Sequence, residues 1–249
     1  MRIANKGDLP ALTALWARCF GDEEAEIEAF WDFLFPDITV FLTEEKTAMA
    51  VAMPAFLGQS RSAYLYAVCT APASRGKGLC RNLIQFAEQQ LRQMGIESVF
   101  LVPGEPSLFD FYASLGYETC CFCRCFSAAA AEKPERITEV SAAEYAALRR
   151  AYGVKNQIEY PERLLQWQQK SGLLLKVGDF GCAAAVKSAD GFSLREVLGE
   201  TPERAAGALA AYFGAETILA RTAGNQPFGM GKPLLAKPLP SCYLGLAFE

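Results

Sequence analysis

Residues 62–80, SAYLYAVCTAPASRGKGLC, constrain the fold of this chain more than any other stretch. An apolar run rich in aromatic and β-branched residues reads as a buried strand and stops at Ala71-Pro72. Two glycines two positions apart follow, beside Arg75 and Lys77. From Gly78 to Met94 the apolar residues Leu79, Leu83, Ile84, Ala87, Leu91 and Met94 make a helix with one buried stripe, closed by Gly95. The start of that helix presents unpaired N–H groups and the positive end of its dipole, so it attracts anions. Glycines at 76 and 78 allow positive φ and close backbone approach, and Arg75 and Lys77 add full charges. Phosphate or pyrophosphate is the simplest ligand. The P-loop pattern, with four residues between its glycines and a Gly-Lys-Ser/Thr end, is missing, as are the third glycine and later ribose-binding acid of a dinucleotide fingerprint. A solvated turn is the other reading of Arg-Gly-Lys-Gly; its place between strand and helix favours a ligand loop.

The surrounding pattern is α/β. A short strand turns at Lys6-Gly7-Asp8 into a helix carrying Leu9, Leu12, Leu15, Trp16 and Cys19, with Asp8 as the expected N-cap. A second helix, Glu23 to Phe35, buries Ile27, Phe30, Trp31 and Leu34 and ends before Pro36. TVFLTEE and AMAVAMPAFLGQ read as a strand pair, ESVFLVP as a buried strand, PSLFDFYASLG as a short helix and YETCCFCRCFSA as another strand. Strand alternating with helix here implies parallel pairing in a covered sheet. Residues 128–136, AAAAEKPER, read as a linker. After them the order recurs: RITEVSAAEYAALRRAYG, then GLLLKVGDFGCAAAVK, FSLREVLGE, PERAAGALAAYFG and AETILARTA, which suggests a duplicated fold. CYLGLAFE reads as a final strand.

With 249 residues, 51% of them apolar, the chain can build one large domain or two small ones. A net charge of −4 excludes a broad basic surface for nucleic acid. Asp8 and Pro10 interrupt the stretch where a signal peptide would be apolar, and the uncharged window Thr47 to Ser60 is too short to span a bilayer, so a soluble protein outside the membrane is expected. Nine cysteines, an odd number, imply reduced thiols and a cytoplasmic location. The absence of histidine removes Ser-His-Asp and Cys-His systems, imidazole bases and His-ligated zinc together. Cys120-x-x-Cys123 has zinc-like spacing, but no second pair matches it, and strand alternation sends Cys121, Cys123 and Cys125 to one face; packed thiols and no metal are expected.

The stretch LYAVCTAPASRGKGLCRNLI resembles motif A of the GNAT N-acetyltransferases, Arg/Gln-x-x-Gly-x-Gly/Ala. Arg75 and Gly78 match; Cys80 stands where Gly or Ala is usual. FDFYASLGYE, residues 109–118, resembles the family's later FYxxxGF segment, with Tyr117 in place of Phe. The resemblance implies a GNAT-like mixed twisted sheet with flanking helices in two tandem copies: an acetyl-CoA-binding domain at 1–131 and a degenerate copy at 137–249. In that copy Glu200-Thr201-Pro202-Glu203-Arg204 stands where the phosphate loop would be, and its carboxylates would repel a pyrophosphate. This arrangement resembles the enhanced-intracellular-survival acetyltransferases without their additional C-terminal domain.

The resemblance further implies acetyl-CoA as donor and a primary amine, of a small molecule or a peptide, as acceptor attacking directly. Pantetheine would lie along Val68, Cys69 and Thr70, and pyrophosphate on Arg75, Gly76, Lys77, Gly78, Leu79 and Cys80. A backbone N–H near Val68 or Cys69 would meet the oxyanion. Tyr112 matches the family tyrosine that protonates the departing thiolate; as a residue it also reads as a core aromatic beside Phe109. The strand AYLYAVCTA carries no carboxylate, so the base is open between the α-carboxylate of Glu249 and a water relay; Glu249 also reads as a frayed terminus. The acidic run Glu23 to Glu28 can wall a site for a cationic amine or form a solvated face. Cys69 lies near the expected CoA sulfur, which leaves an acyl-cysteine route as a minor alternative. A non-catalytic acyl-CoA-binding module and a pure interaction scaffold are the competing functions. The acceptor and the oligomeric state are not encoded in any recognisable pattern.

Overall fold

The computed structural model describes residues 1–188, 191–235 and 237–247. They form two compact units, Met1–Thr119 with Gly229–Leu239, and Cys120–Phe228 with residues from Pro240 onward.

The first unit contains β1 (Arg2–Ile3), α1 (Leu9–Phe20), α2 (Glu24–Leu34), β2 (Thr39–Leu42), β3 (Ala48–Leu57), β4 (Ser60–Thr70), α3 (Leu79–Gln93), β5 (Ser98–Leu101) and α4 (Ser107–Ala113). The second takes β6 (Glu118–Ala129) from Cys120 onward, then β7 (Ile137–Glu139), α5 (Ala142–Tyr152), β8 (Ile158–Glu159), α6 (Glu162–Ser171), β9 (Gly172–Val177), β10 (Gly181–Ser188), β11 (Gly191–Gly199), α7 (Pro202–Tyr212) and β12 (Thr217–Ala223). A last strand, β13 (Gln226–Pro233), returns from Gly229 onward to the first unit.

Within the first unit the strands run β1-β2-β3-β4-β5-β13, and within the second β7-β9-β10-β11-β12-β6. Each sheet has one parallel pair, β4 with β5 and β11 with β12. The sheet is mixed, as expected, and mostly antiparallel; the second unit follows much of the first's succession of elements but sets β8 between its two helices. The strand beside the first unit's parallel pair, β13, comes from the far end of the chain, whereas β6, beside the second unit's pair, opens that unit itself. Met230 to Pro233 pair antiparallel with Leu101 to Ser98, and β6 pairs antiparallel with β12 from Cys123↔Ala223 to Ala129↔Thr217. The compact units therefore divide at Thr119/Cys120 and not within residues 128–136; Ala130 and Ala131 donate backbone bonds to Glu216 and Gly207 inside the second unit.

In the first unit α3 lays Leu83, Ile84, Ala87 and Leu91 on Ala50, Ala52, Leu65, Val99 and Leu101. Each buried leucine or isoleucine contributes roughly 1.5–3 kcal/mol. Gly95, at φ +78°, ends the helix. Asp8 does not cap α1 with its side chain. Its carboxylate accepts from the Arg2 guanidinium at 2.6 and 2.7 Å and from the Asn5 N–H at 3.0 Å, because Asn5 has already opened a preceding 3-10 turn. Lys232 of β13 donates to Glu88 at 2.6 Å and to the Leu115 carbonyl at 2.8 Å, which ties the returning strand to α3 and to the end of α4.

In the second unit α7 packs Ala205, Ala206, Leu209 and Ala210 on Leu175, Ala183, Val197 and Ile218. Ser141 caps α5 through a capping box with Glu144. Three elements have no counterpart in the sequence reading, the two-residue β8 being one of them. Helix α6 follows Pro161 and buries Leu164, Leu165 and Gln168. Strand β13 was hidden by Pro227, Gly229, Gly231 and Pro233, residues that ordinarily mark a loop. Conversely, the strand expected at CYLGLAFE is reduced to bridges at Cys242 and Tyr243, with irregular backbone beyond them to residue 247.

The interior of this unit holds an ion pair with no solvent exposure on either side. Arg149 grips Glu196 with Nε–Oε2 at 2.7 Å and Nη2–Oε1 at 3.0 Å; Tyr145 donates to the same carboxylate at 3.0 Å, and Arg149 Nη1 donates to the Ile158 carbonyl at 3.2 Å. Removing one partner leaves a buried charge unopposed. Arg149→Leu is expected to destabilise the chain by about 3–5 kcal/mol, and Arg149→Leu with Glu196→Leu to recover much of that loss. Denaturant titration of the single and double variants checks this.

Candidate active site

Strand β4 is bulged. Met49 pairs with Cys69 and Val51 with Tyr66, so Ala67 and Val68 together oppose Ala50 alone. Ala67 has φ +47°, a left-handed conformation uncommon for a residue with a Cβ. The bulge coincides with the end of the parallel pairing: β4 follows β5 only from Ser62↔Ser98 to Leu65↔Leu101. From Ala67 to Thr70 the edge of β4 that would face β5 has no strand partner among the described residues, while the other edge stays on β3. Val68, Cys69 and Thr70 lie on this open stretch, Val68 half-buried and packed on the core.

The chain then enters a 3-10 turn at Pro72–Ser74, which uses the amides of Ser74 and Arg75 on the carbonyls of Ala71 and Pro72. Gly76 and Gly78 follow at φ +77° and +73°, with open space around each. The first backbone bond into α3 runs from the Asn82 N–H to the Gly78 carbonyl at 3.1 Å. The amides of Gly76, Lys77, Gly78, Leu79, Cys80 and Arg81 thus have no acceptor among the described residues, and no side chain caps the helix. Arg75 Nε donates to the Thr70 carbonyl at 3.2 Å and Lys77 Nζ to the Ala73 carbonyl at 3.4 Å, which folds both cations around the turn. Thr70 Oγ1 is buried there without a hydrogen-bond partner. Unmatched donors, two cations and an orphaned hydroxyl converge beside an open strand edge. The arrangement suits a ligand with an anionic end and an extended amide-bearing arm.

Tyr112 lies in α4, buried at 6% exposure, its ring 5.7 Å from that of Tyr117 and 5.1 Å from that of Phe111. Burial, reinforced by nearby Cys80, pushes its phenol well above the ordinary value, so it holds its proton. Burial pushes the Cys80 thiol up to about 11. Cys69 is raised further, by burial first and then by Cys19. Both sulfurs are therefore thiols at neutral pH, weak as nucleophiles.

Glu23, Glu24, Glu26 and Glu28 are solvent-exposed. Glu249 lies outside the described residues. Burial along β6 does not follow the alternation of faces: Cys121 and Cys123 are buried, Cys125 is exposed, and neighbouring Cys120 is buried as well. Cys120, Cys121 and Cys242 bring their sulfurs within 4.8 Å of one another. The second unit has no comparable loop: α7 starts at Pro202, which lacks an N–H, Glu203 is held by Arg124, and Arg204 pairs with Glu135. The bulge at Ala67 and the orphaned Thr70 hydroxyl escaped the sequence reading, because Ala-Val carries no sign of positive φ and a threonine in a strand is ordinary.

Comparison with known proteins places this geometry. Residues 1–120 match the family described as acetyltransferase (GNAT) domain. No curated protein matches the chain. A GCN5-related N-acetyltransferase from Anabaena variabilis superposes with a TM-score of 0.71 at 15% identity, over 93% of this chain and 72% of that one. A GCN5-related N-acetyltransferase from Kribbella flavida gives 0.67 at 18%, over 93% and 70%. Eis1 from Mycobacterium abscessus gives 0.62 at 13%, over 91% and 66%. Residues 1–120, just under half of the chain, match the GNAT acetyltransferase domain, and the chain shares its fold with these longer proteins.

Ala67 tests the bulge. Ala67→Gly relieves left-handed strain while loosening the unfolded chain, so stability is expected to change by less than about 1 kcal/mol. Ala67→Val is expected to cost about 1–2 kcal/mol or more. Equilibrium unfolding of the two variants distinguishes a true left-handed position from an ordinary strand residue.

Proposed function

We propose that this protein is an N-acetyltransferase that moves an acetyl group from acetyl-CoA to a primary amine of a small molecule or peptide. The observation that carries the reading is the run of unpaired amides from Gly76 to Arg81 beside the open edge of β4. Pyrophosphate sits on the amides of Gly76, Lys77, Gly78, Leu79 and Cys80 with Arg75 and Lys77 at its flanks. The pantetheine arm takes the place of the missing strand partner along Val68, Cys69 and Thr70, and the orphaned Thr70 hydroxyl finds a ligand acceptor or donor there. CoA supplies the activated thioester when bound.

The chain's own residues then do three things. The β4 backbone near Val68 and Cys69 offers an N–H to the thioester oxygen, where charge develops as the amine attacks. Tyr112, kept neutral by burial, gives its proton to the departing sulfur. The apolar surroundings of Cys69 and Cys80 keep both thiols protonated, which favours direct attack over an acyl-cysteine intermediate. In this reading the first unit is the acetyl-CoA-binding domain and the second a degenerate GNAT-like copy. The lost glycine pair, Pro202 and the ion-paired start of α7 support that assignment.

Acetyl-CoA at one hundred times its dissociation constant is expected to stabilise the native state by about 2.7 kcal/mol, read as a rise in Tm. Gly78→Val, which forces a β-branched residue to φ +73°, is expected to abolish most of that rise. With a panel of amines, Tyr112→Phe is expected to lower kcat by about 10²-fold or more while the Tm response to acetyl-CoA persists. Because burial raises the Tyr112 phenol, its role predicts no loss of kcat from this group up to about pH 10, where a free tyrosine would begin to ionise. Binding without acetylation of any amine would select the non-catalytic module. Absence of any response to acetyl-CoA would overturn the proposal altogether.

A further inference from the structure

Three buried thiols meet in the second unit, away from the loop described above. Cys121 lies on β6 and Cys242 on the returning segment beside it, opposite each other in a parallel bridge. The Cys242 N–H donates to the Cys120 carbonyl at 2.8 Å, and the Phe122 N–H donates to the Cys242 carbonyl at 3.1 Å, so the backbones are locked in register. The sulfurs of Cys121 and Cys242 are 3.0 Å apart. Cys120 lies 3.9 Å from Cys121 and 4.0 Å from Cys242. A disulfide of about 2.0 Å needs each sulfur of the opposed pair to move only about half an ångström.

We propose that Cys121 and Cys242 are a redox modification site, joined by a disulfide when the protein meets a hydroperoxide, with Cys120 as the relay thiol. The geometry favours a covalent link over a metal. Only three ligands converge among the described residues, whereas a closed zinc site takes four. The cluster is buried, at 6%, 0% and 5% exposure for Cys120, Cys121 and Cys242, where a neutral disulfide is tolerated and a charged metal–thiolate group is costly.

The chemistry balances. The Cys120 thiolate attacks one peroxide oxygen, breaking the O–O bond and giving a sulfenic acid and, after protonation, water. The Cys242 sulfur attacks the sulfenic sulfur, forming an S–S bond and releasing a second water. Cys121 then attacks Cys242, forming the Cys121–Cys242 bond and returning Cys120 as the thiolate. Two thiols are oxidised, and one hydrogen peroxide is reduced to two waters; an organic hydroperoxide leaves one alcohol and one water instead. Hydrogen bonds from the S–H groups of Cys121 and Cys242 lower the Cys120 thiol below its ordinary value, which suits it to the first step.

The test is peptide mapping of the full chain, reduced and then treated with hydrogen peroxide, digested without reductant. The expected product is 2 Da lighter, carries Cys242 cross-linked to the 120–121 stretch, melts several degrees higher and reverts with dithiothreitol. Cys242→Ser is expected to lose both the cross-link and the shift in melting, while Cys125→Ser and Cys182→Ser keep them. The mapping of the unsubstituted chain decides the matter even where Cys242→Ser folds poorly. Two results would overturn the proposal: peroxide modifying Cys125 while Cys242 stays free, or the reduced protein taking one equivalent of Zn2+ from a chromophoric chelator with all three thiols then shielded from alkylation.

Discussion

The parting of β4 from β5 is the constraint on which the rest of the first unit depends. Two strands that start parallel at Ser62 and Ser98 stay together for four residues and then separate, because Ala67 and Val68 share one partner position on β3. A bulge adds twist and bends the strand that carries it. The cost is a left-handed alanine and a strand edge without a partner. The consequence is an open stretch of main chain beside the start of α3. No side chain is needed to leave donors free there, since the amides of Gly76 to Arg81 have no acceptor among the described residues by virtue of where the helix begins.

The second unit repeats the layout with different chemistry. Its parallel pair, β11 and β12, meets in register at Leu194↔Ala220, and its equivalent helix begins with proline and ion-paired side chains in place of glycines. Its interior carries the doubly hydrogen-bonded Arg149–Glu196 pair under Tyr145. A buried pair of this kind adds little net stability compared with apolar packing, but it penalises any arrangement that separates the partners. The return of β13 acts in the same direction. The first sheet lacks its last strand until residues from Gly229 onward supply it, whereas the second sheet is complete within Cys120–Phe228.

Local patterns made much of this legible. The stripe Leu83, Ile84, Ala87 and Leu91 identified α3, Gly95 its end, and Ser141 with Glu144 the start of α5, because each depends on residues within a turn or two of one another. Asp8 was misread because two caps compete at that corner, and the cationic Arg2 attracts its carboxylate more strongly than the helix amides do. Strand β13 was missed because its prolines and glycines are acceptable only where a neighbour such as β5 supplies the pairing. Burial did not follow the alternation of Cys121, Cys123 and Cys125, since one face of a strand need not keep the same surroundings along its length.

By itself the amino-acid sequence determined the strand-to-helix turn at Arg75 to Gly78, the order of elements in both halves, and a chemistry without imidazole. These follow from side-chain size, charge and backbone freedom, which act over a few residues. Tertiary structure alone decided that β4 would bulge at Ala67, that the Thr70 hydroxyl would be buried without a partner, that β13 would return to pair with β5, and that Cys242 would arrive opposite Cys121. Each of these depends on which strand lies alongside which. That pairing is set by the burial of whole faces across long separations in the chain, information no short window of residues contains.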